Sequence, residues 1–145
     1  MKRILTIVTS AVLLAAAPSL AFNQDDYQSV LGATYMNGNP MNDNGIVCED
    51  CDLSRADFEG VNLTEAEFAG SDLSEAKLTG ANLSNADLSA TRLIGAILDL
   101  ADLSGTDLTD ANLTAASMTA VRMAGVVFCR TIMPDRSVRS DHCEA

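Results

Sequence analysis

The sequence predicts a solenoid, a chain wound into stacked turns around a continuous apolar core, over roughly half of its 145 residues. Two observations predict this fold class. A large apolar residue stands at every fifth position from Leu53 to Phe128, and basic residues inside this stretch pair with acidic residues twenty positions away. A spacing of five matches neither the 3.6-residue turn of a helix nor the two-residue alternation of a strand. Units that cannot bury their apolar residue alone must stack on their neighbours.

Each five-residue unit is predicted to send one large and one small side chain inward and to show its other three residues outside. A narrow coil packed at interior density has room for one bulky side chain per unit and little else. The small residue precedes the large one by two positions, as Ala86 precedes Leu88. The predicted core residues are Leu53, Phe58, Leu63, Phe68, Leu73, Leu78, Leu83, Leu88, Leu93, Leu98, Leu103, Leu108, Leu113, Met118, Met123 and Phe128.

Several units carry one signature. The segments ANLSN at 81–85, ADLSG at 101–105 and ANLTA at 111–115 resemble the A(D/N)LXX motif of pentapeptide-repeat proteins. The resemblance extends over sixteen consecutive units. It implies an all-β fold, a right-handed four-sided β-helix with four units and twenty residues in each coil, and therefore about four coils here.

Charged residues provide an independent check on a twenty-residue coil. Residues twenty apart would stand on the same face of adjacent coils, about 4.8 Å from each other, which is the distance of cross-strand pairs. Exposed pairs of this kind set the register more than the stability. The five predicted pairs are Arg55 with Glu75, Lys77 with Asp57, Arg92 with Asp72, Arg122 with Asp102, and Arg130 with Asp110.

The N-terminus is typical of a secretory signal peptide. Lys2 and Arg3 precede an apolar run that is too short for a membrane span, and small residues precede a cleavage site after Ala21. Cleavage leaves seven basic and twenty acidic residues, a net charge of about −13. A surface this acidic repels nucleic acid. After cleavage no membrane association is expected, and the predicted location is the bacterial periplasm or the medium.

The chain is predicted to divide into four parts: a signal peptide at 1–21, an N-terminal cap segment at 22–50, the repeats at 51–130 and a C-terminal cap tail at 131–145. Within the first cap, 24–31 is predicted to form a short helix and 32–45 a loop. Exported proteins that this chain resembles also place a short helix and a Cys-x-x-Cys step before the first repeat. They usually carry a glycine in the closing turn, where this chain has Arg136.

Export to an oxidising compartment predicts that the four cysteines form disulfides. Cys48 and Cys51 precede the first coil, whereas Cys129 and Cys143 follow the last one. Four coils would separate the two groups by roughly 19 Å, and bridged Cα atoms lie within about 7 Å. We therefore expect Cys48 to pair with Cys51 and Cys129 with Cys143. The second bridge would hold the tail across the last coil and cover an edge that otherwise invites strand addition.

Two chemical roles for these cysteines are alternatives to the disulfides. A redox Cys-x-x-Cys motif needs a helix N-terminus to lower a thiol pKa, and the sequence around Cys48 predicts none. A zinc site needs four ligands together, and each end offers two cysteines, with His142 beside one pair only.

No catalytic constellation is recognisable in the sequence. His142 is the one histidine, and the chain lacks a GxSxG elbow, a phosphate-binding loop and a metal-ligand helix. Hydroxyls such as that of Ser84 are better explained as turn residues, because no base accompanies them. We expect no enzymatic activity, no cofactor and no metal centre.

Two outward-facing features are candidate interaction sites. Ile94, Ile97 and Leu100 form an apolar spot in a polar wall, which suggests a protein contact or a homodimer contact. A second feature is a ladder of acidic residues twenty apart, which is either a solvated face or a cation site. Its members are Glu67, Asp87 and Asp107.

Three functions remain open from the sequence. The first is an exported, non-enzymatic scaffold or protein-interaction module whose protein partner is unidentified. The second comes from relatives that mimic DNA and occupy the DNA site of gyrase, a topoisomerase, although a periplasmic protein would not meet a cytoplasmic enzyme. The third is an extracytoplasmic cation binder that uses the acidic ladder.

Overall fold

The computed structural model of the chain describes residues 46–143. The predicted signal peptide at 1–21, the predicted helix at 24–31 and the predicted loop at 32–45 lie outside these residues. Among the described residues there is no helix.

The chain winds into coils of twenty residues, as the family resemblance implied and the charge spacing supported. Single-residue parallel bridges join positions twenty apart, from Val47 with Glu67 to Asn112 with Ile132. Backbone hydrogen bonds link each coil to the next, and the Leu53 amide, for example, donates to the Asp72 carbonyl at 2.8 Å. Interior coils therefore satisfy their backbone groups through their neighbours, although no side of a coil is long enough to form a conventional strand.

Each five-residue unit ends in a tight turn. The corner residue, at every position divisible by five from 50 to 130, has a positive φ. The turn is closed by a bond such as that from the Ala56 amide to the Leu53 carbonyl, 3.1 Å long. The Asp or Asn of the motif supports it, because a side-chain oxygen such as Asn62 Oδ1 accepts the amide two residues later, at 3.2 Å from Thr64 N. This local bond explains why Asp and Asn recur in the signature.

The core consists of the large residues of the repeats. Fourteen of the sixteen predicted core residues are buried, from Leu53 to Leu113 without interruption and again at Phe128. Met118 is half-buried, and Met123 is 41% exposed. The assignment of Met123 to the core was wrong, because this residue lies in the last coil and no further coil covers it.

Four of the small inward positions hold hydroxyl side chains: Ser71, Thr91, Thr106 and Thr131. Each hydroxyl donates to a backbone carbonyl inside the coil, as from Thr106 Oγ1 to Leu83 O at 2.8 Å and from Thr131 Oγ1 to Leu108 O at 2.6 Å. A buried hydroxyl without such a partner would cost about 1–3 kcal/mol. Ser and Thr therefore take the place of Ala at these positions without the free-energy cost of an unsatisfied buried hydroxyl.

The coil extends beyond the predicted repeat boundaries at both ends. Ile46, at 2% exposure, and Cys48 occupy inward positions before residue 51, and Thr131 is fully buried after residue 130. The tail then forms the strands β1, Thr131–Ile132, and β2, Val138–Arg139, which pair antiparallel. Arg136 has φ 68° in the turn between them, and its amide donates to the Met133 carbonyl at 2.9 Å. The turn therefore forms without glycine.

Candidate interaction surfaces

The apolar spot predicted from the sequence lies on one side of the coil and the adjoining corner. Leu100 is 65% exposed at a corner and Ile97 is 40% exposed, whereas Ile94 is half-buried. The corner column that contains Leu100 carries no charge on any coil: its members are Gly60, Gly80, Leu100 and Ala120. Leu100 therefore belongs to an uncharged column of corner residues, the uncharged edge, whereas Ile97 stands beside it in a column that also holds Asp57 and Lys77.

The acidic ladder is present in direct register. Parallel bridges join Glu67 to Asp87 and Asp87 to Asp107, so three carboxylates stand on adjacent coils. Asp87 Oδ1 accepts the Ser89 amide at 2.9 Å, and Asp107 Oδ1 accepts the Thr109 amide at 2.8 Å. Each of these two carboxylates is thus held by its own turn. Within residues 46–143, no three or more His, Cys, Asp or Glu side chains come together as a group that could hold a metal ion.

All five predicted ion pairs between coils are present. The distances range from 2.5 Å for Arg130 Nη2 to Asp110 Oδ2 to 3.7 Å for Arg92 Nε to Asp72 Oδ2. The hydrogen bonds and charge of the Arg130 guanidinium lower the pKa of the Asp110 carboxyl. These exposed pairs reinforce the register that the core already imposes.

Asp99, which directly precedes Leu100, links the last two coils. Its Oδ1 accepts the Ser117 hydroxyl at 2.6 Å and the Thr119 amide at 2.7 Å. These hydrogen bonds, the one from Ser117 first, lower the pKa of the Asp99 carboxyl. Nothing in the five-residue signature singles out this contact, since Asp99 stands in the turn and not at the usual Asp position.

Replacing Asp99 with alanine is expected to destabilise the protein in a pH-dependent way. Because the folded-state pKa is lowered, the contribution of Asp99 is present above the unfolded-state pKa and is lost as the pH falls through the folded value. Urea unfolding should show a difference between wild type and Asp99→Ala near neutral pH that shrinks below about pH 4. Glu59, which stands at the same place two coils earlier, provides the control variant Glu59→Ala. An equal pH dependence for both variants would contradict this role.

The disulfides join the predicted cysteines. The Cys48 and Cys51 Cα atoms lie 5.6 Å apart, those of Cys129 and Cys143 lie 4.7 Å apart, and no cysteine among the described residues is free. Each pair closes one end of the coil.

The tail packs over Phe128 at the exit end of the coil. The Arg139 guanidinium lies 3.8 Å from the centre of the Phe128 ring, and the His142 ring stacks on it with centroids 6.4 Å apart. The His142 amide donates to the Phe128 carbonyl at 3.0 Å, and the Phe128 amide donates to His142 Nδ1 at 3.3 Å. The single histidine therefore has a structural role.

Sequence analysis missed one surface, the exit edge, defined here as residues 116–125 of the last coil. Met123 is exposed on it, and among the described residues no backbone hydrogen bond joins the tail to it. One signal in the sequence marks this end: residues 111–134 contain no acidic residue, in a chain that has twenty.

Comparison with known proteins assigns the coil to a family. The family model described as pentapeptide repeats (8 copies) matches this chain at residues 51–89, 86–125 and 96–133. The chain belongs to the pentapeptide-repeat family. Its coil is thus the right-handed quadrilateral β-helix of these proteins, and members of the family are generally not enzymes.

Solved pentapeptide-repeat structures resemble the chain. A protein from the Arabidopsis thaliana thylakoid lumen is 33% identical, with a TM-score of 0.60, over 66% of this chain and 67% of that one. HetL from the cyanobacterium Nostoc, involved in heterocyst differentiation regulation, is 29% identical, with a TM-score of 0.38, over 68% of this chain and 52% of its own. A search of curated proteins finds no match.

Two further observations concern location. Two disulfides are consistent with an oxidising compartment outside the cytoplasm. In the part of the pentapeptide-repeat protein that the structure describes, no helix is long and apolar enough to cross a membrane.

Proposed function

We propose that this pentapeptide-repeat protein is an exported, non-catalytic scaffold that binds a protein partner through the uncharged edge around Leu100. The observation that carries the proposal is the exposure of Ile97 and Leu100 on a coil whose outer surface is otherwise mainly polar. Large exposed apolar side chains that adjoin each other are typical of protein contacts. The coil beneath them is held by backbone bonds and a packed core, so the side chains are presented rigidly, which lowers the entropy cost of binding.

Location in the periplasm or outside the cell is supported by three observations of different kinds. The N-terminal sequence is typical of a signal peptide, both cysteine pairs form disulfides, and a similar protein of known structure is lumenal in Arabidopsis. An export machinery that recognises the first 21 residues would deliver the chain to a compartment where its disulfides persist.

The two alternatives have less support. A DNA mimic needs a continuous acidic surface, whereas five basic residues pair with acids on this coil and residues 111–134 contain no acid. A cation binder needs converging oxygen ligands, whereas Asp87 and Asp107 each turn an oxygen toward their own backbone.

The proposal can be tested by affinity capture from periplasmic extract with wild type and with Ile97→Asp/Leu100→Asp. Asn62→Asp/Asn112→Asp is the matched control, because it adds the same two charges elsewhere and Asp supports this turn at other units. We expect the partner to be lost with the first variant and kept with the control. Fractionation of cells that express the full chain should show a shortened form in the periplasm. Equal capture by both variants would refute the binding edge, and unprocessed cytoplasmic protein would refute export.

A further inference from the structure

We infer that the C-terminal disulfide, between Cys129 and Cys143, is a thiol-exchange site, at which an external dithiol opens the bridge and frees the tail from the last coil. The N-terminal disulfide, between Cys48 and Cys51, lies in different surroundings and serves as the internal comparison. This inference goes beyond the scaffold role and does not depend on the edge around Leu100.

The two sulfur atoms of the C-terminal disulfide differ in access. Cys129 is 7% exposed, whereas Cys143 is exposed. In the N-terminal disulfide, Cys48 is 7% exposed and Cys51 is half-buried. An open cleft beside the C-terminal disulfide is lined by Thr109, Val127, Cys129, Arg130, His142 and Cys143. Exchange needs a thiolate to reach one sulfur, so Cys143 is the atom's residue that an incoming thiolate attacks.

The Arg130 guanidinium favours departure of Cys129 as the leaving thiolate. Its Nε and Nη2 atoms donate to the Asp110 carboxylate, and its Nη1 atom donates to Cys129 Sγ at 3.5 Å. The ion pair therefore holds the guanidinium in place and leaves one N–H group for the sulfur. A cationic donor beside a sulfur stabilises the thiolate, and a stabilised thiolate leaves faster.

Charge opposes the same reaction at the N-terminal disulfide. Three acidic residues adjoin its cysteines in the chain: Glu49, Asp50 and Asp52. Because the attacking group and the leaving group are both anions, these carboxylates disfavour the approach of the first and the formation of the second. One acid, Glu144, adjoins the C-terminal disulfide in the chain, and the nearby Asp141 pairs with Arg139 at 2.6 Å.

The exchange takes place in two steps. In the first, one thiolate of the external dithiol forms a bond with Cys143 Sγ, the bond between the two protein sulfurs breaks, and Cys129 leaves as a thiolate. In the second, the other thiolate of the dithiol attacks the external sulfur of this mixed disulfide, and Cys143 leaves. Two electrons pass from the dithiol to the protein. The dithiol becomes a disulfide, and its two protons finish on the two cysteines.

Opening of the bridge acts on the cover over Phe128, which is 3% exposed. The tail contacts this residue through Arg139, whose guanidinium lies 3.8 Å from the ring centre, and through the His142 amide, which donates to the Phe128 carbonyl at 3.0 Å. The Arg130 amide also donates to Ser140 Oγ at 3.2 Å. These contacts are weak without the covalent bond, so reduction exposes the end of the coil.

The test uses the processed, oxidised protein and dithiothreitol at fixed pH. Free thiols are blocked with N-ethylmaleimide at successive times and located by mass spectrometry. We expect the C-terminal disulfide to open at least about tenfold faster than the N-terminal one. Tryptic cleavage after Arg139 should rise at the same rate. With glutathione, a monothiol, the mixed disulfide should form on Cys143 and leave Cys129 to react with N-ethylmaleimide.

A pair of variants separates the effect of the guanidinium on Cys129 from a merely structural role. Arg130→Gln should slow opening of the C-terminal disulfide by about threefold, because the leaving thiolate loses its donor. Arg92→Gln is the matched control, since Arg92 also pairs with an acid twenty positions away, Asp72, and it should leave the rate unchanged. If Arg130 only held the end of the coil together, its loss would speed opening.

Three results would overturn the inference: equal opening rates for the two disulfides, glutathione attached to Cys129, or opening of Arg130→Gln that is as fast as in Arg92→Gln. A comparison of dithiothreitol with a thioredoxin-like protein at equal dithiol concentration identifies the source of the dithiol. Faster opening by the protein assigns the exchange to the Cys-x-x-Cys pair of an oxidoreductase, and faster opening by dithiothreitol assigns it to small dithiols.

Discussion

Leu83→Arg is expected to prevent folding of the coil. Leu83 is fully buried in the middle of the stack, between coils that each send a leucine inward at the equivalent position. The substitution removes about 1.5–3 kcal/mol of apolar burial and places an unpaired charge in an interior that has no polar partner for it. The lost burial and the buried charge together are comparable with the whole free energy of unfolding of a small domain, which is about 5–15 kcal/mol. Circular dichroism should show loss of the cooperative thermal transition.

Leu100→Arg is the matched control for this experiment, because it makes the same chemical change at a position that is 65% exposed. Its long side chain can reach solvent, so we expect a melting temperature within a few degrees of wild type. A Leu83→Arg protein that melts like Leu100→Arg would show that the leucines of the repeats do not face the core.

Cys129→Ser/Cys143→Ser is expected to lower the free energy of unfolding by about 3 kcal/mol, the usual value for a disulfide that closes a loop of about this length. The two cysteines are 14 positions apart in sequence, so their bridge restricts the unfolded chain considerably. Without it, the contacts of Arg139 and His142 with Phe128 must hold the tail alone. Urea unfolding measures the loss, and faster tryptic cleavage after Arg136 and Arg139 would report release of the tail.

The first disulfide provides the comparison. Cys48 and Cys51 are only three positions apart, so removing their bridge restores much less entropy to the unfolded chain. We expect Cys48→Ser/Cys51→Ser to cost clearly less than the other pair. Equal losses, or tryptic cleavage of the tail that is unchanged in Cys129→Ser/Cys143→Ser, would refute the view that the second bridge holds the cap.

Much of the fold could be predicted from the sequence because the repeat is simple. The spacing of five specified which residues face inward, and it failed only near the end, at Met123. The resemblance to pentapeptide-repeat proteins implied the coil length, the pairing of Arg55 with Glu75 and of Lys77 with Asp57 agreed with it, and the bridges confirm it. The apolar spot could also be predicted, since Ile97 and Leu100 stand at outward positions that hold mainly polar residues in the other units.

The surfaces at the ends could be predicted less well. Asp99 binds Ser117 and Thr119 through a turn position that the signature leaves variable, so no pattern indicated the contact. Arg136 adopts a positive φ that usually favours glycine, because the bond from its amide to Met133 and the pairing of β1 with β2 hold the turn. These features depend on tertiary contacts that the five-residue signature does not specify.

The sequence by itself determined the interior of this protein: the period, the coil length, the buried columns and the family. Only the tertiary structure decided where the stack begins and ends, that Ile46 and Thr131 join it, and that the tail covers one half of the last layer and leaves Met118 and Met123 at an open edge. The physical reason is that all the units share one local pattern, whereas burial and backbone pairing depend on whether another coil lies above. That information resides in the stacking and not in any one unit.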